Sequence, residues 1–334
     1  MIIRKRAYPR GGLVGNPSDG YFGKTIALSF SNFRAEVVLY ETPELEILPC
    51  TRDHSVFSSI HALSHDVDLF GYYGGLRLLK AAIKRFRDYC GQHNLAIHDR
   101  NFTIRYQSSI PHLVGLAGSS AIITACMRCL MEFYEVRISR PELANLILTV
   151  ETEELGINAG LQDRVAQVYQ GLVYMDFDKE LMETRGYGDY VQLDASLLPP
   201  LYIAYRDDLS EGSERVHSKI RERFQRGDDD IIGAIAFWRS LASEVRERIE
   251  AGEGGLIGSL LDANFDKRAE ISPISEGNTR MIDAARSVGA SAKFTGSGGA
   301  IIGAYEDENM FQVLKEVLEP LDISVIKPKV APAT

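Results

Sequence analysis

The run Pro111-His-Leu-Val-Gly-Leu-Ala-Gly-Ser-Ser-Ala121 constrains this chain more than any other segment. Gly115, Leu116, Ala117 and Gly118 are mostly small residues that permit a tight turn and close backbone approach. The apolar stretch that follows predicts a helix to Tyr134, with Ser119 or Ser120 as its cap. Amides at the positive end of such a helix suit phosphate oxygens, and the two hydroxyls add donors for phosphate or a divalent cation. Spacing alone leaves a second reading open, that of ordinary structural punctuation. The Gly-Lys-Ser/Thr ending of a P-loop is absent.

A chain of 334 residues exceeds the size at which one hydrophobic core stops growing, so two domains are expected, 1–185 and 186–334. With 37 basic against 46 acidic residues the net charge is -9, which argues against broad nucleic-acid binding. Leu113 to Leu130 is the most apolar later stretch, but it carries Arg128 and begins in a turn, so no membrane segment is expected. The opening Met1 to Arg6 meets charge too soon for a secretory leader. Four cysteines form no disulfide scaffold, and a cytoplasmic location follows as the expectation. Cys126 and Cys129 have a zinc-like spacing, yet they share one helix without a second pair and read as buried contacts.

Ile2–Tyr8, Thr25–Phe30, Arg34–Tyr40 and Phe102–Tyr106 predict strands, with Ala35, Val37 and Leu39 alternating towards a core and Pro9–Asp19 as a loop. Gly75–Tyr89 predicts a helix that buries Leu76, Leu79, Ile83 and Phe86, and Arg140-Pro141-Glu142 opens another that runs to Leu155. Gly171–Phe177, Tyr190–Leu193 and Leu201–Tyr205 predict further strands. Four helices follow over 214–224, 229–250, 256–268 and 278–288. A strand, glycine turn and strand occupy Ala292–Tyr305, then a helix Glu308–Leu318, a strand Ile323–Ile326 and an exposed polar tail.

Three more segments carry chemistry. In Glu151–Asp163, Glu151 and Asp163 flank a glycine-bearing turn, so a metal carboxylate and a proton acceptor can meet there, while Glu153 and Glu154 read more simply as surface acids. In Lys293-Phe-Thr-Gly-Ser-Gly-Gly-Ala300 the glycines either bring a strand edge close to a substrate or to the first glycine-rich loop, or form a plain reverse turn. Lys293 reads equally as a phosphate contact or a surface group. Near the start, Arg10 and Asp19 bracket Gly11–Ser18, suited to phosphate charge and to a polyol respectively, or to a salt bridge and a loop cap.

In this order the four segments resemble the GHMP family of small-molecule kinases, which takes in galactokinase, homoserine kinase, mevalonate kinase and phosphomevalonate kinase. The likeness spans almost the whole chain and is greatest to the branch that phosphorylates glucuronate. It implies an α/β plus α+β fold, with a ribosomal-protein-S5-like amino-terminal ATP-binding domain and a smaller ferredoxin-like, substrate-binding carboxy-terminal domain. By the same resemblance Gly115, Leu116, Ala117, Gly118, Ser119 and Ser120 cradle ATP, and Ser120 and Glu151 hold Mg2+, with Glu153 and Glu154 as alternative registers. Asp163 is then the base, Arg10 the nearby positive group, Asp19 a sugar-binding acid, and Gly296, Gly298 and Gly299 shape the cleft.

Two departures accompany the likeness. Ala117 stands where many relatives have glycine, and Asn16-Pro17 replaces the Glu-His pair of galactose-type members. The implied reaction is transfer to the C1 hydroxyl of glucuronate, with Arg206, Arg215 and Arg280 as candidates for the acid group, each also readable as a surface pair. A kinase for another sugar, a polyol or an isoprenoid precursor is the rival enzyme, and a catalytically silent metabolite-binding protein the rival of another class. The expected partner is a small sugar or sugar acid, and neither monomer nor homodimer is specified.

Overall fold

The computed structural model describes residues 1–50, 53, 58–60, 74–112, 114–206 and 213–334, with the backbone alone for 213–219. The first four strands are β1 (Ile2–Ala7), β2 (Arg10–Val14), β3 (Lys24–Ser29) and β4 (Ala35–Thr42). β2 falls in the segment expected as a loop. Two glycines weigh against a strand by propensity, but Gly12 lets β2 pack tightly: a Cβ there would meet the Thr295 carbonyl at 2.6 Å. A 3-10 turn at Ser18–Tyr21 then carries Asp19.

β5 (Glu46–Leu48), α1 (Gly75–Gln92) and β6 (Asn101–Ser108) follow. Leu79 and Phe86 of α1 are buried as expected, but the inward stripe is completed by Leu78, Ala82 and Cys90, with Leu76 and Ile83 only half-buried. α2 (Gly118–Phe133) begins one residue before the serines expected to cap it. Its N-cap is Ala117, in the left-handed region, which places Ser119 and Ser120 inside the first turn.

α3 (Arg140–Thr149) starts at a capping box of Ser139 and Glu142. It does not continue to Leu155 as one α-helix, because Val150–Glu154 widens into a π-helical turn. α4 (Gln162–Tyr169), β7 (Leu172–Asp176), α5 (Lys179–Arg185) and β8 (Asp189–Leu193) come next. β9 (Leu201–Tyr205) precedes the helices α6 (Ser213–Arg226), α7 (Asp229–Glu250), α8 (Gly258–Ile271) and α9 (Glu276–Ser287). β10 (Lys293–Phe294), β11 (Ala300–Ala304), α10 (Glu308–Leu318) and β12 (Ser324–Ile326) complete the order.

Among the described residues the strands form three four-stranded sheets, ordered β1-β4-β6-β5, β2-β3-β7-β8 and β10-β11-β9-β12. Pairing is antiparallel except between β5 and β6. Ile3, Leu39 and Ile104 lie abreast across β1, β4 and β6, all buried, which is the alternation read from β4 carried through the sheet. β8, on the carboxy-terminal side of residue 185, extends the sheet of β2, β3 and β7.

One apolar core runs from these first sheets through Ile203, Ile220, Trp238 and Ile302. A second lies under α9 and α10, around Tyr202, Phe294, Met281 and Phe311. The tail is largely exposed, as expected, at Lys327, Lys329 and Pro332–Thr334, yet it is also tied down. Val330 bridges to Phe30, the Ala331 N–H donates to Ser29, and Thr334 donates to Tyr169. Cys50, Cys90, Cys126 and Cys129 are free thiols, and burial pushes Cys129 up to about 12. Among the described residues no helix is long and apolar enough to cross a membrane.

Candidate active site

Arg10 is where the four segments meet. It starts β2, is buried, and reaches the other three from one guanidinium. NH1 donates to the carbonyls of Thr295 and, at 3.3 Å, Gly115, while NH2 stands 2.6 Å from Asp163 Oδ1. The backbone repeats the junction: Arg10 N–H donates to Leu116 at 3.1 Å and Gly12 N–H to Thr295 at 2.9 Å. Such contacts need backbones closer than most side chains allow. A Cβ at Gly296 would stand 2.7 Å from the Gly115 carbonyl oxygen, so glycine there is a steric requirement of the crossing.

The glycine-rich loop reaches α2 through Gly115 and Ala117, both at positive φ. Alanine in that region is strained by about 1 kcal/mol or more. Its carbonyl, however, accepts from Gln167 Nε2 at 2.7 Å and Ser120 Oγ at 3.2 Å, and these bonds fix the turn. Ser120 is thus fully buried and turned to its own loop. The hydroxyl that faces the acidic segment is that of Ser119, which donates to Glu151 Oε1 at 2.7 Å.

Glu151 is 1 % exposed and sits on the π-helical turn. Its other oxygen takes both Nε and NH2 of Arg164, a bidentate pair deep in the structure. Burial opposes the charge on Arg164, but Glu151 and Asp163 outweigh it. Arg164 also stands 3.3 Å from Asp163 Oδ2, so Asp163, on the first turn of α4, is gripped between two guanidiniums. In the sequence, the one signal for Arg164 is its place directly after Asp163 at a helix start. Glu153 and Glu154 turn to Lys84 and Arg85 on α1, away from this chain of contacts.

Asp19 approaches from the opposite side. Gln162 N–H donates to its Oδ2 at 3.3 Å, and a Cβ at Gly160 would lie 2.1 Å from the same oxygen, so only glycine admits the carboxylate there. Burial and the nearby Asp163 carboxylate push Asp19 up to about 6, against Gln162 and Arg10. Two carboxylates and two guanidiniums therefore stand in one cluster.

In the third glycine segment, Thr295 closes the turn through Ala300 at 3.0 Å and donates its hydroxyl to Gly115 at 3.2 Å. Gly298 and Gly299 take positive φ, and Arg268 of α8 caps the carbonyls of Gly296 and Ser297. Lys293 is neither a surface group nor a phosphate contact. It is buried, and its ammonium donates to Gly12, Asn16 Oδ1 and Phe294 at 2.6–2.8 Å, while burial and the charges of Arg10 and Arg268 pull its pKa well down. Three neutral acceptors match three N–H donors. Asn16 is thereby committed to this buried junction.

Of the arginines offered for an acid group, Arg206 and Arg280 turn their guanidiniums to other partners. Arg206 donates its backbone N–H to Gly299, but its guanidinium reaches the Leu321 carbonyl at 2.9 Å. Arg280 forms an exposed pair with Glu276 on α9. The Arg215 side chain lies outside the described residues.

The model of the GHMP kinases N terminal domain matches residues 77–171, the span from α1 to the start of β7. Glucuronokinase 1 of Arabidopsis thaliana is 42 % identical, with 99 % of this chain and 93 % of that protein covered. Probable glucuronokinase 2 of the same plant is 45 % identical over 90 % of this chain and 84 % of its own. The crystal structure of Lactococcus lactis galactokinase complexed with galactose superposes with a TM-score of 0.74 at 15 % identity, covering 100 % of this chain and 95 % of that one. That last likeness is one of fold.

Proposed function

The chain belongs to the GHMP kinase family, and from that membership we propose that it transfers the terminal phosphoryl group of ATP to the C1 hydroxyl of D-glucuronate, giving glucuronate 1-phosphate and ADP. The observation that carries this reading is the pair of glucuronokinases matched over nearly the full chain at 42–45 % identity.

The loop Gly115–Ser120 and the first turn of α2 hold the ATP phosphates on backbone N–H groups. Residues 1–185 hold the nucleotide, and 186–334 close the sugar side. Asp163 accepts the hydrogen bond, and then the proton, of the sugar C1 hydroxyl as its oxygen attacks the γ-phosphorus and the bond to ADP breaks. Arg10, pinned against Asp163, stabilises charge on the moving phosphoryl group. Asp19 accepts from the sugar hydroxyls.

For Mg2+ the donor set fits. Ser119 Oγ and Glu151 Oε1 are 2.7 Å apart, close to the roughly 2.9 Å that separates adjacent ligands of an octahedral ion bound at 2.0–2.1 Å. Among the described residues there is no cluster of three or more acidic, histidine or cysteine ligands, which suits an ion held mainly by nucleotide phosphates. Bound there, Mg2+ supplies charge neutralisation on the β- and γ-phosphates. Ser119, not Ser120, is the serine we assign to it.

A substrate panel tests the reading. ATP-dependent phosphate incorporation is expected with glucuronate well above galactose, glucose, a polyol and mevalonate. Selectivity for a neutral sugar or for mevalonate rejects the assignment, and binding without transfer in the presence of Mg2+ marks a silent relative.

A further inference from the structure

We propose that Arg221 reads the carboxylate of the sugar acid and so selects an acidic substrate over a neutral one. The inference rests on the reading above and names the residue that gives it its specificity. A hexuronate brings an anion to a cluster that already holds Asp19 and Asp163, so a cation with donors to spare has to offset that repulsion. Arg10 and Arg164 are taken by Asp163 and Glu151. On α6 itself, Arg223 is claimed by Asp228 and Asp230.

Arg221 differs from these. Its guanidinium donates NH1 to the neutral amide oxygen Oδ1 of Asn158 at 3.1 Å and, among the described residues, meets no carboxylate. The planar fork is left able to take a carboxylate on its remaining N–H groups.

Its position follows from three contacts. Ile220 is buried in the core and fixes the roll of α6. Phe224, one turn on from Arg221, packs its ring 5.2 Å from that of Tyr21. Tyr21 stands two residues after Asp19 in the same 3-10 turn, and Asn158 stands in the loop that leads into α4, whose first turn carries Asp163. Arg221 therefore spans the two segments that bring Asp19 and Asp163 together. The same proximity registers at Tyr21, whose phenol is pushed up to about 12 by burial, opposed by Arg221 and assisted by Asp19.

The substrate's geometry matches. In a hexuronate, C1 and the carbon bearing the carboxylate flank the ring oxygen. With the C1 hydroxyl at Asp163, the carboxylate lies across that oxygen, one sugar ring away, and on this reading it turns towards Arg221, which binds Asn158 five residues before Asp163.

The test compares glucuronate with glucuronamide, its uncharged isostere, in the full-length protein with ATP and Mg2+. Wild-type protein is expected to favour glucuronate in kcat/KM. In R221Q the KM for glucuronate rises about 10- to 100-fold, as expected for losing a charged hydrogen bond, with kcat and the KM for ATP within a few-fold. The preference over glucuronamide collapses towards one, and R221K restores part of it. Wild-type protein that does not phosphorylate glucuronate overturns the functional reading itself. Wild-type turnover with an unchanged preference in R221Q, or with no preference to begin with, overturns the Arg221 assignment alone.

Discussion

At the scale of single residues, the site is a short circuit of opposite charges, and two substitutions probe it. Asp163 has one oxygen on Arg10 and the other on Arg164, so D163N keeps the shape while removing the proton acceptor. We expect kcat to fall by about 10²- to 10⁴-fold with the KM for ATP nearly unchanged, measured in steady state; normal turnover contradicts the assignment. Asp19 gives a pH-dependent stability. Its folded pKa of about 6 lies above the ordinary value of 3.8, so ionising it costs the folded state roughly 2–3 kcal/mol above pH 6, and the cost vanishes below about pH 4. D19N is therefore expected to stabilise the protein at pH 7.5, with the gain shrinking as pH falls from 6 to 4, as read by urea unfolding across that range. A gain that grows on acidification has the wrong sign. Asp163, Arg10 and Asp19 stand out in the sequence because they bracket glycine-rich segments, and the structure brings them near one another. Arg164 and Lys293 do not stand out, since their importance lies in burial and in partners 13 and more residues away, which spacing does not encode.

At the scale of elements, the glycine segments are legible as turns but not as a crossing. Nothing in Lys293–Ala300 alone distinguishes a plain reverse turn from one laid against Gly115. The structure decides it through Thr295, which binds both Arg10 and the Gly115 carbonyl. G296A tests the crossing, because its Cβ would press on the Gly115 carbonyl at 2.7 Å and on Arg10 NH1 at 3.2 Å. We expect kcat/KM to drop at least tenfold and stability to fall by about 1–3 kcal/mol, with G255A, where a Cβ meets open space, as an unaffected control. Wild-type kinetics in G296A contradict the close approach. The same logic explains the hidden strand β2. Its glycines lower strand propensity, yet Gly12 is what lets β2 lie against the Thr295 carbonyl, which a Cβ there would meet at 2.6 Å.

At the scale of the whole molecule, the order of elements was largely legible from hydrophobic periodicity, including α7, α10 and the β10–β11 turn. What escaped were features set by distant partners: the tail held by Ser29 and Tyr169, the short α4 and α5, and the pairing of β8 with β7. The fold's consequence is that a strand from the start of the chain, a loop from its middle and a turn from near its end meet at Arg10. On this account that meeting point is where ATP and the sugar's anomeric hydroxyl are brought together. The most direct measurement is phosphorus and proton NMR of the product formed from ATP and glucuronate with Mg2+. The account predicts one new phosphate monoester, scalar-coupled to the sugar's anomeric proton. Phosphate on any other hydroxyl, or ATP left unconsumed, contradicts it.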